Sequence, residues 1–142
     1  MDQFAHTYTV GMDDAAVEER LRSAETGVLS LADGGAAYGI PVAYHWDGEA
    51  ILFRLGEHPD SEKVAFIDST ERASFLVYHY APSDESWSVL ATGPIERLSP
   101  EEADLLEAQD DFLPLRIFGE AMEELEPALY ALEVEALTGR TT

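Results

Sequence analysis

The stretch GVLSLADGGAAYGIPVAYHWDGEAILFRLG, from Gly27 to Gly56, consists of three apolar runs separated by Gly34-Gly35 and by Asp47-Gly48. Both dipeptides supply the backbone conformations that tight hairpin turns require, so the runs read as three strands of an antiparallel meander. Hairpins this closely spaced leave no room for the crossover helices that a parallel sheet needs. Pro41 lies inside the second run and cannot donate to a ladder, so that strand is expected at an edge or with a bulge there, with room for another partner.

The remaining chain continues the pattern. Segments RASFLVYHY and SWSVLATGPIERL read as two more strands joined by the polar turn APSDE, and PALYALEVEALTGR alternates Tyr130, Leu132, Val134 and Ala136 against Ala131, Glu133 and Glu135 as a half-exposed strand. Three helices are expected besides a short one after Pro114. The first places Ala16, Val17, Arg20, Leu21 and Ala24 at helical spacing and ends near Gly27. The second is the short SEKVAFIDS, with Val64 and Ile67 turned inward and Phe66 a further candidate for that face. The third starts at Ser99, where S-P-E-E forms a capping box with Pro100 at the first helical position. The expectation is a mainly β protein, a six-stranded antiparallel barrel with flanking helices, built as one domain over residues 1–142.

Eight Lys and Arg against 29 Asp and Glu give a formal charge of −21, yet 46% of residues are hydrophobic and fall in periodic blocks, so the chain folds. Self-repulsion of this size opposes the compact state in dilute buffer and is relieved by salt, which points to a halophilic source. No basic patch exists to displace counterions from phosphates, which argues against nucleic acid. No apolar run approaches the roughly 18 residues of a membrane span, and the N-terminus lacks a basic start and apolar core; the expectation is a cytoplasmic protein. Cysteine is absent, which excludes disulfides and thiolate chemistry.

Lys63 is the only lysine. Together with Arg54 and His58 it forms a cluster of basic groups within ten residues, and phosphate binding is a task that needs such cations, with Ser61 as a helix cap facing the same anion. An exposed loop in which Glu57, Asp60 and Glu62 neutralise their neighbours accounts for the cluster as well. His6, His45, His58 and His79 have no metal-ligand spacing, and no metal site is expected. Ser30, Ser74, Ser86 and Ser88 fall on strand segments without a nucleophile elbow, and no catalytic carboxylate stands out among so many. The aromatic residues Tyr38, Tyr44, Trp46, Phe53, Tyr78, Tyr80 and Trp87 fit a core, a subunit contact or a planar cofactor. The apolar residues Phe112, Leu115, Ile117, Phe118, Met122 and Leu125 fit a cover over a barrel end or a subunit interface.

The segments GIPVAYHW, ILFRLGEHPDSEKVAFI, ASFLVYHY and SWSVLATGPIERL, in that order, with the closing YALEVEALTGR, resemble the pyridoxamine 5'-phosphate oxidase-like FMN-binding split barrels, in particular the small branch that includes nitroimidazole-resistance proteins. The resemblance extends from about Val17 to Arg140. It implies a homodimer that holds FMN in grooves between two barrels, with Lys63 on the phosphate and Arg54 and the backbone at Leu55 facing the phosphate or ribityl chain. It also implies Ile40, Pro41 and Val42 along the isoalloxazine ring, and Ser88 near the phosphate or across the dimer. Arg54 stands where nitroimidazole-resistance relatives often carry histidine, and after Leu137 only TGRTT remains in place of an arginine-rich substrate motif, which speaks against both of those activities. The implied function is a flavin-dependent oxidoreductase on a small substrate. The alternatives are a non-catalytic module for flavin, haem or deazaflavin, and a barrel without ligand that serves in assembly, against which the basic pair counts.

Overall fold

A computed structural model of the chain describes residues 9–57, 62–108 and 126–142. The described strands are β1 (Val10–Gly11), β2 (Thr26–Asp33), β3 (Ala36–Trp46), β4 (Ala50–Glu57), β5 (Ala73–His79), β6 (Trp87–Gly93), β7 (Ile95–Arg97), β8 (Glu126–Glu133) and β9 (Ala136–Thr141). The described helices are α1 (Asp14–Ser23), α2 (Glu62–Ser69) and α3 (Pro100–Glu107). All ladders are antiparallel, in the order β1-β9-β6-β5-β2-β3-β4-β8-β7. The mainly β expectation therefore holds.

Each of the six expected strand segments is present, but two of them bend into two strands each, and the short β1 adds a further strand. SWSVLATGPIERL runs along β5 and β9 as β6, turns at Gly93-Pro94, and continues along β8 as β7. That bend closes the barrel, because one continuous run of chain joins the β6 side of the sheet to its β8 end. Glu133 N–H donates to the Pro94 carbonyl at 3.0 Å and Glu135 N–H to the Thr92 carbonyl at 2.9 Å across the same corner. PALYALEVEALTGR likewise breaks at Val134-Glu135 into β8 and β9.

The two glycine-bearing turns form where expected. Gly34 has φ +59° and Gly35 does not adopt positive φ, the pattern of a type II′ hairpin between β2 and β3. Gly48 has φ +100°, and the Asp47 carboxylate accepts from the Glu49 and Ala50 N–H groups to close the β3–β4 turn.

Inward-facing side chains of β2 to β8 fill the barrel: Leu29, Ile51, Phe53, Phe75 and Leu132 are wholly buried, Phe53 stacks on Tyr130, and Tyr44 meets Phe75 edge-on. Helix α1 starts at Asp13, whose carboxylate caps the Ala16 N–H, and it seals one end of the barrel with Val17 and Leu21. The buried Tyr44 hydroxyl donates to the Leu21 carbonyl and fastens helix to strand. Helix α1 ends at Ser23, earlier than expected. Gly27 belongs to β2, and a Cβ there would lie 2.5 Å from the Phe75 ring. Its small size serves that close crossing rather than a helix cap.

Helix α2 packs over the barrel near β2. Ile67 is buried, Phe66 stacks on Tyr38, and the Thr70 hydroxyl bridges the Ala32 N–H and carbonyl. Helix α3 carries the expected capping box, with Ser99 and Glu102 bonded reciprocally at 3.2 Å. It covers a second apolar cluster of Leu52, Leu98, Leu129 and Ala131. Strand β8 is therefore buried on both faces at its centre, not half-exposed, because Leu129 and Ala131 turn toward α3 while Tyr130 and Leu132 turn inward. The segment after Pro114, the apolar residues Phe112 to Leu125, the cap Ser61 and the ring of His58 lie outside the described residues.

Candidate functional site

Strand β3 is paired along one side by β2, from Thr26↔Ala43 to Asp33↔Ala36, without a bulge. On its other side β4 pairs only with Tyr44, His45 and Trp46. Among the described residues, none pairs with the β4 side of β3 from Ala36 to Ala43, which makes that side a local edge. Tyr44 N–H donates to the Glu25 carbonyl, so even-numbered residues of β3 turn their backbone groups toward β2 and odd-numbered ones turn them toward the open edge. Pro41 falls among the odd ones. Its missing N–H costs the β2 ladder nothing, and the N–H groups of Gly39 and Ala43 face the edge, where no described strand pairs with them.

The seven expected site residues divide across this region. Ile40 and Val42 point into the barrel, whereas Pro41 is exposed on the outer face. Leu55 is buried inside at the far end of β4, and Arg54 is half-buried on the outer face, opposite Leu129. Lys63 occupies the first turn of α2. Arg54 and Lys63 thus flank the connection between β4 and α2, on the side where β3 is open. Ser88 is half-buried on the outer face of β6, between Tyr78 and Arg140.

Ser30, Ser74 and Ser88 stand on strands, but Ser86 does not. Its hydroxyl donates to the Ala81 carbonyl and accepts the Ala81 N–H at 2.8 Å, closing the β5–β6 turn. Among the described residues no three His, Asp or Glu side chains gather as a metal site, and no helix is long and apolar enough to cross a membrane.

The outer face that adjoins the open edge was missed in the sequence. Strand pairing aligns Pro41, Val28, Leu76, Leu90 and Thr138 in one row across five strands. The neighbouring row is Gly39, Ser30, Ser74, Thr92 and Ala136, all small. A third row contains Thr26 and Ala43 on one side and Tyr78, Ser88 and Arg140 on the other. Tyr78 is 62% exposed and Leu90 42%. Arg140 is the one charged residue in these rows, in a chain of net charge −21. The signal available beforehand was the lack of acids on either alternation of β5 and β6 and, in β2, on all but its last residue, Asp33.

The acids lie elsewhere. A groove of about 590 Å³ between α1, the β3–β4 turn and the β8–β9 break is lined by Asp14, Glu18, Glu49 and Glu133 over Val17 and Trp46. The Trp46 indole N–H donates to Glu18 at 3.3 Å and the Arg22 guanidinium at 2.8 Å, and together they hold the Glu18 carboxyl below its ordinary pKa. Burial pushes the Tyr44 hydroxyl well above its ordinary value, so it stays a donor to α1.

An antiparallel barrel closed by bent strands defines the split-barrel class. The family model described as Pyridoxamine 5'-phosphate oxidase matches residues 13–141, and the chain belongs to that family. Among solved structures, the chain is similar to a Corynebacterium glutamicum protein proposed to be a pyridoxamine 5'-phosphate oxidase, at 16% identity and TM-score 0.74, covering 94% of this chain and 98% of that one. It is also similar to a FAD-binding protein from Mesorhizobium loti (18% identity, TM-score 0.70, 94% and 96% covered). A third is the FAD-binding protein from Mycobacterium smegmatis (19%, TM-score 0.67, 93% and 97% covered). At these identities the likeness is one of fold. No curated protein matches the chain at a significant level.

Proposed function

We propose that the chain binds a flavin along the open edge of β3 and uses it as a flavin-dependent oxidoreductase on a small substrate. The observation that carries this reading is the open edge itself, which sets backbone donors and acceptors at Gly39, Pro41 and Ala43 beside the basic residues Arg54 and Lys63. Such an edge suits the polar rim of a planar ring, and the two cations suit a phosphate that must approach a strongly acidic protein. Membership of the family and the FAD-binding names of two structural neighbours support a flavin. FMN, with its single phosphate, is the ligand proposed first, and FAD is its competitor. Pro41 offers its ring surface on the outer face, whereas Ile40 and Val42 turn their backbone toward β2 and their side chains into the barrel, and so hold the strand in place. The flavin supplies the electron transfer; the chain binds it, orients it and excludes water.

The proposed assembly is a homodimer that covers the acid-free outer face and the flavin together. In support, exposed Leu90 and Tyr78 and the row of small residues offer a flat surface open to close approach, on which no carboxylate stands among the described residues.

The test is a visible absorption spectrum of protein purified in molar KCl, followed by titration with FMN and with FAD. Flavin bands or stoichiometric uptake support the reading and rank the two cofactors. Absence of both would overturn it and turn the search to haem or deazaflavin. A bound flavin that no nicotinamide donor reduces would favour the non-catalytic module.

A further inference from the structure

We infer that ionic strength controls the assembly of this site: two copies close over the flavin only when salt screens their charge, and at low salt each is a folded monomer that holds flavin weakly. The inference rests on the proposed dimer and adds its regulation.

Each copy carries −21, and among the described residues the three rows of the outer face contribute only Arg140 to a contact between copies, the neighbouring Arg72 being paired with Glu135 at 2.6 Å. Arg140 is already engaged within its own chain, donating to the Thr9 hydroxyl and carbonyl at 2.9 Å. No set of opposite charges on the face is therefore available to offset the repulsion between two acidic bodies. Apolar contact through Leu90, Tyr78 and Pro41 has to overcome it alone.

The acids border this face at Glu25, Asp33 and Asp84, at the ends of its strands and in its turns. At about 0.1 M salt the Debye length is about 10 Å, so bordering carboxylates on two docked copies repel each other across the rim; at about 1 M it is about 3 Å and they do not. Desolvation of the apolar face, by contrast, is weakened little by KCl, so screening shifts the balance toward the dimer. The barrel does not depend on the partner for its core, since Leu21, Leu29, Ile51, Phe53, Phe75 and Leu132 are wholly buried within one copy. Dissociation therefore precedes unfolding as salt is withdrawn.

The experiment follows the full-length protein with added FMN from about 2 M to about 0.1 M KCl, reading dimer dissociation by sedimentation equilibrium, FMN release by fluorescence and fold by far-ultraviolet circular dichroism. The expected result is a dimer dissociation constant that rises by about a hundredfold or more, with FMN release in the same step and circular dichroism unchanged. Glycine betaine, which carries no net charge and does not screen, is expected not to restore the dimer. Leu90→Asp is expected to stay monomeric and folded in about 2 M KCl. A dimer population indifferent to KCl, rescue by betaine, wild-type dimerisation of L90D, or loss of circular dichroism in the same step as dissociation would each overturn the inference. Failure of the underlying reading looks different: a monomer that takes up no flavin at any salt concentration.

Discussion

Gly93 sits against the backbone of Glu133 so closely that a methyl group at Gly93 would lie 1.8 Å from the Glu133 carbonyl oxygen. This contact is where β6 turns into β7 and the barrel closes. The obstacle is backbone on both sides, so no side-chain rotation relieves it. Gly93→Ala is expected to cost about 3 kcal/mol or more, at the upper end of overpacking substitutions, because the corner itself has to open. Urea denaturation of the variant measures it; a midpoint equal to that of the wild type would show that the corner is not held closed by this contact.

Lys63 lies in the first turn of α2 on the side of the barrel where β3 is open, and Arg54 stands on β4 just before the same connection. Lys63→Ala is expected to weaken FMN binding at least about tenfold, close to 1.4 kcal/mol, and Arg54→Ala to act in the same direction. Fluorescence titration in molar KCl reads the effect. Unchanged affinity in K63A would remove Lys63 from the phosphate site while leaving the open edge in place.

The Glu18 carboxyl is held below its ordinary pKa of 4.5, first by the Trp46 indole N–H and then by Arg22. A depressed pKa in the folded state means that ionised Glu18 stabilises the fold above pH 4.5 and that this contribution is lost as the pH falls through the lower folded value. Glu18→Gln is therefore expected to melt below the wild type at neutral pH, with the gap closing under acid. The difference in melting temperature between the two proteins, followed from neutral pH into strong acid, checks the sign. A gap that widened on acidification would contradict the assignment.

A formal charge of −21 on 142 residues also predicts that stability itself follows salt. The melting temperature of the chain is expected to rise steeply with KCl from low salt toward about 1 M, where the Debye length has fallen to about 3 Å. A flat profile in thermal melts would refute both the self-repulsion argument and the inference of a halophilic source.

Local chemistry made much of the architecture legible. Gly34 and Gly48 adopt the positive φ their turns require, Ser99 and Glu102 form the capping box, and Val17 and Leu21 mark the buried stripe of α1. The errors arose where a distant neighbour decided the outcome. Gly27 reads as a helix stop until Phe75 is seen to lie over it, and Ala131 reads as exposed until α3 covers it. Ser86 reads as a strand residue until its hydroxyl closes a turn. The bend at Pro94 is written in the sequence as a Gly-Pro pair, yet nothing local reveals that β8 waits beyond it.

The candidate site divides in the same way. The sequence by itself determined that Lys63 is unique, that Pro41 needs an edge, and that the strands alternate, because composition and backbone chemistry act within a few residues. Only the tertiary structure decided that the edge of β3 opens beside Arg54 and Lys63, and that Leu76, Leu90 and Pro41 share one uncharged row. In β5 and β6 both alternating faces lack acids, and in β2 the only acid is the terminal Asp33, so the pattern cannot say which one is core. Closure of the barrel chose, by turning Leu29, Phe75 and Val89 inward and leaving the other face to solvent or to a partner.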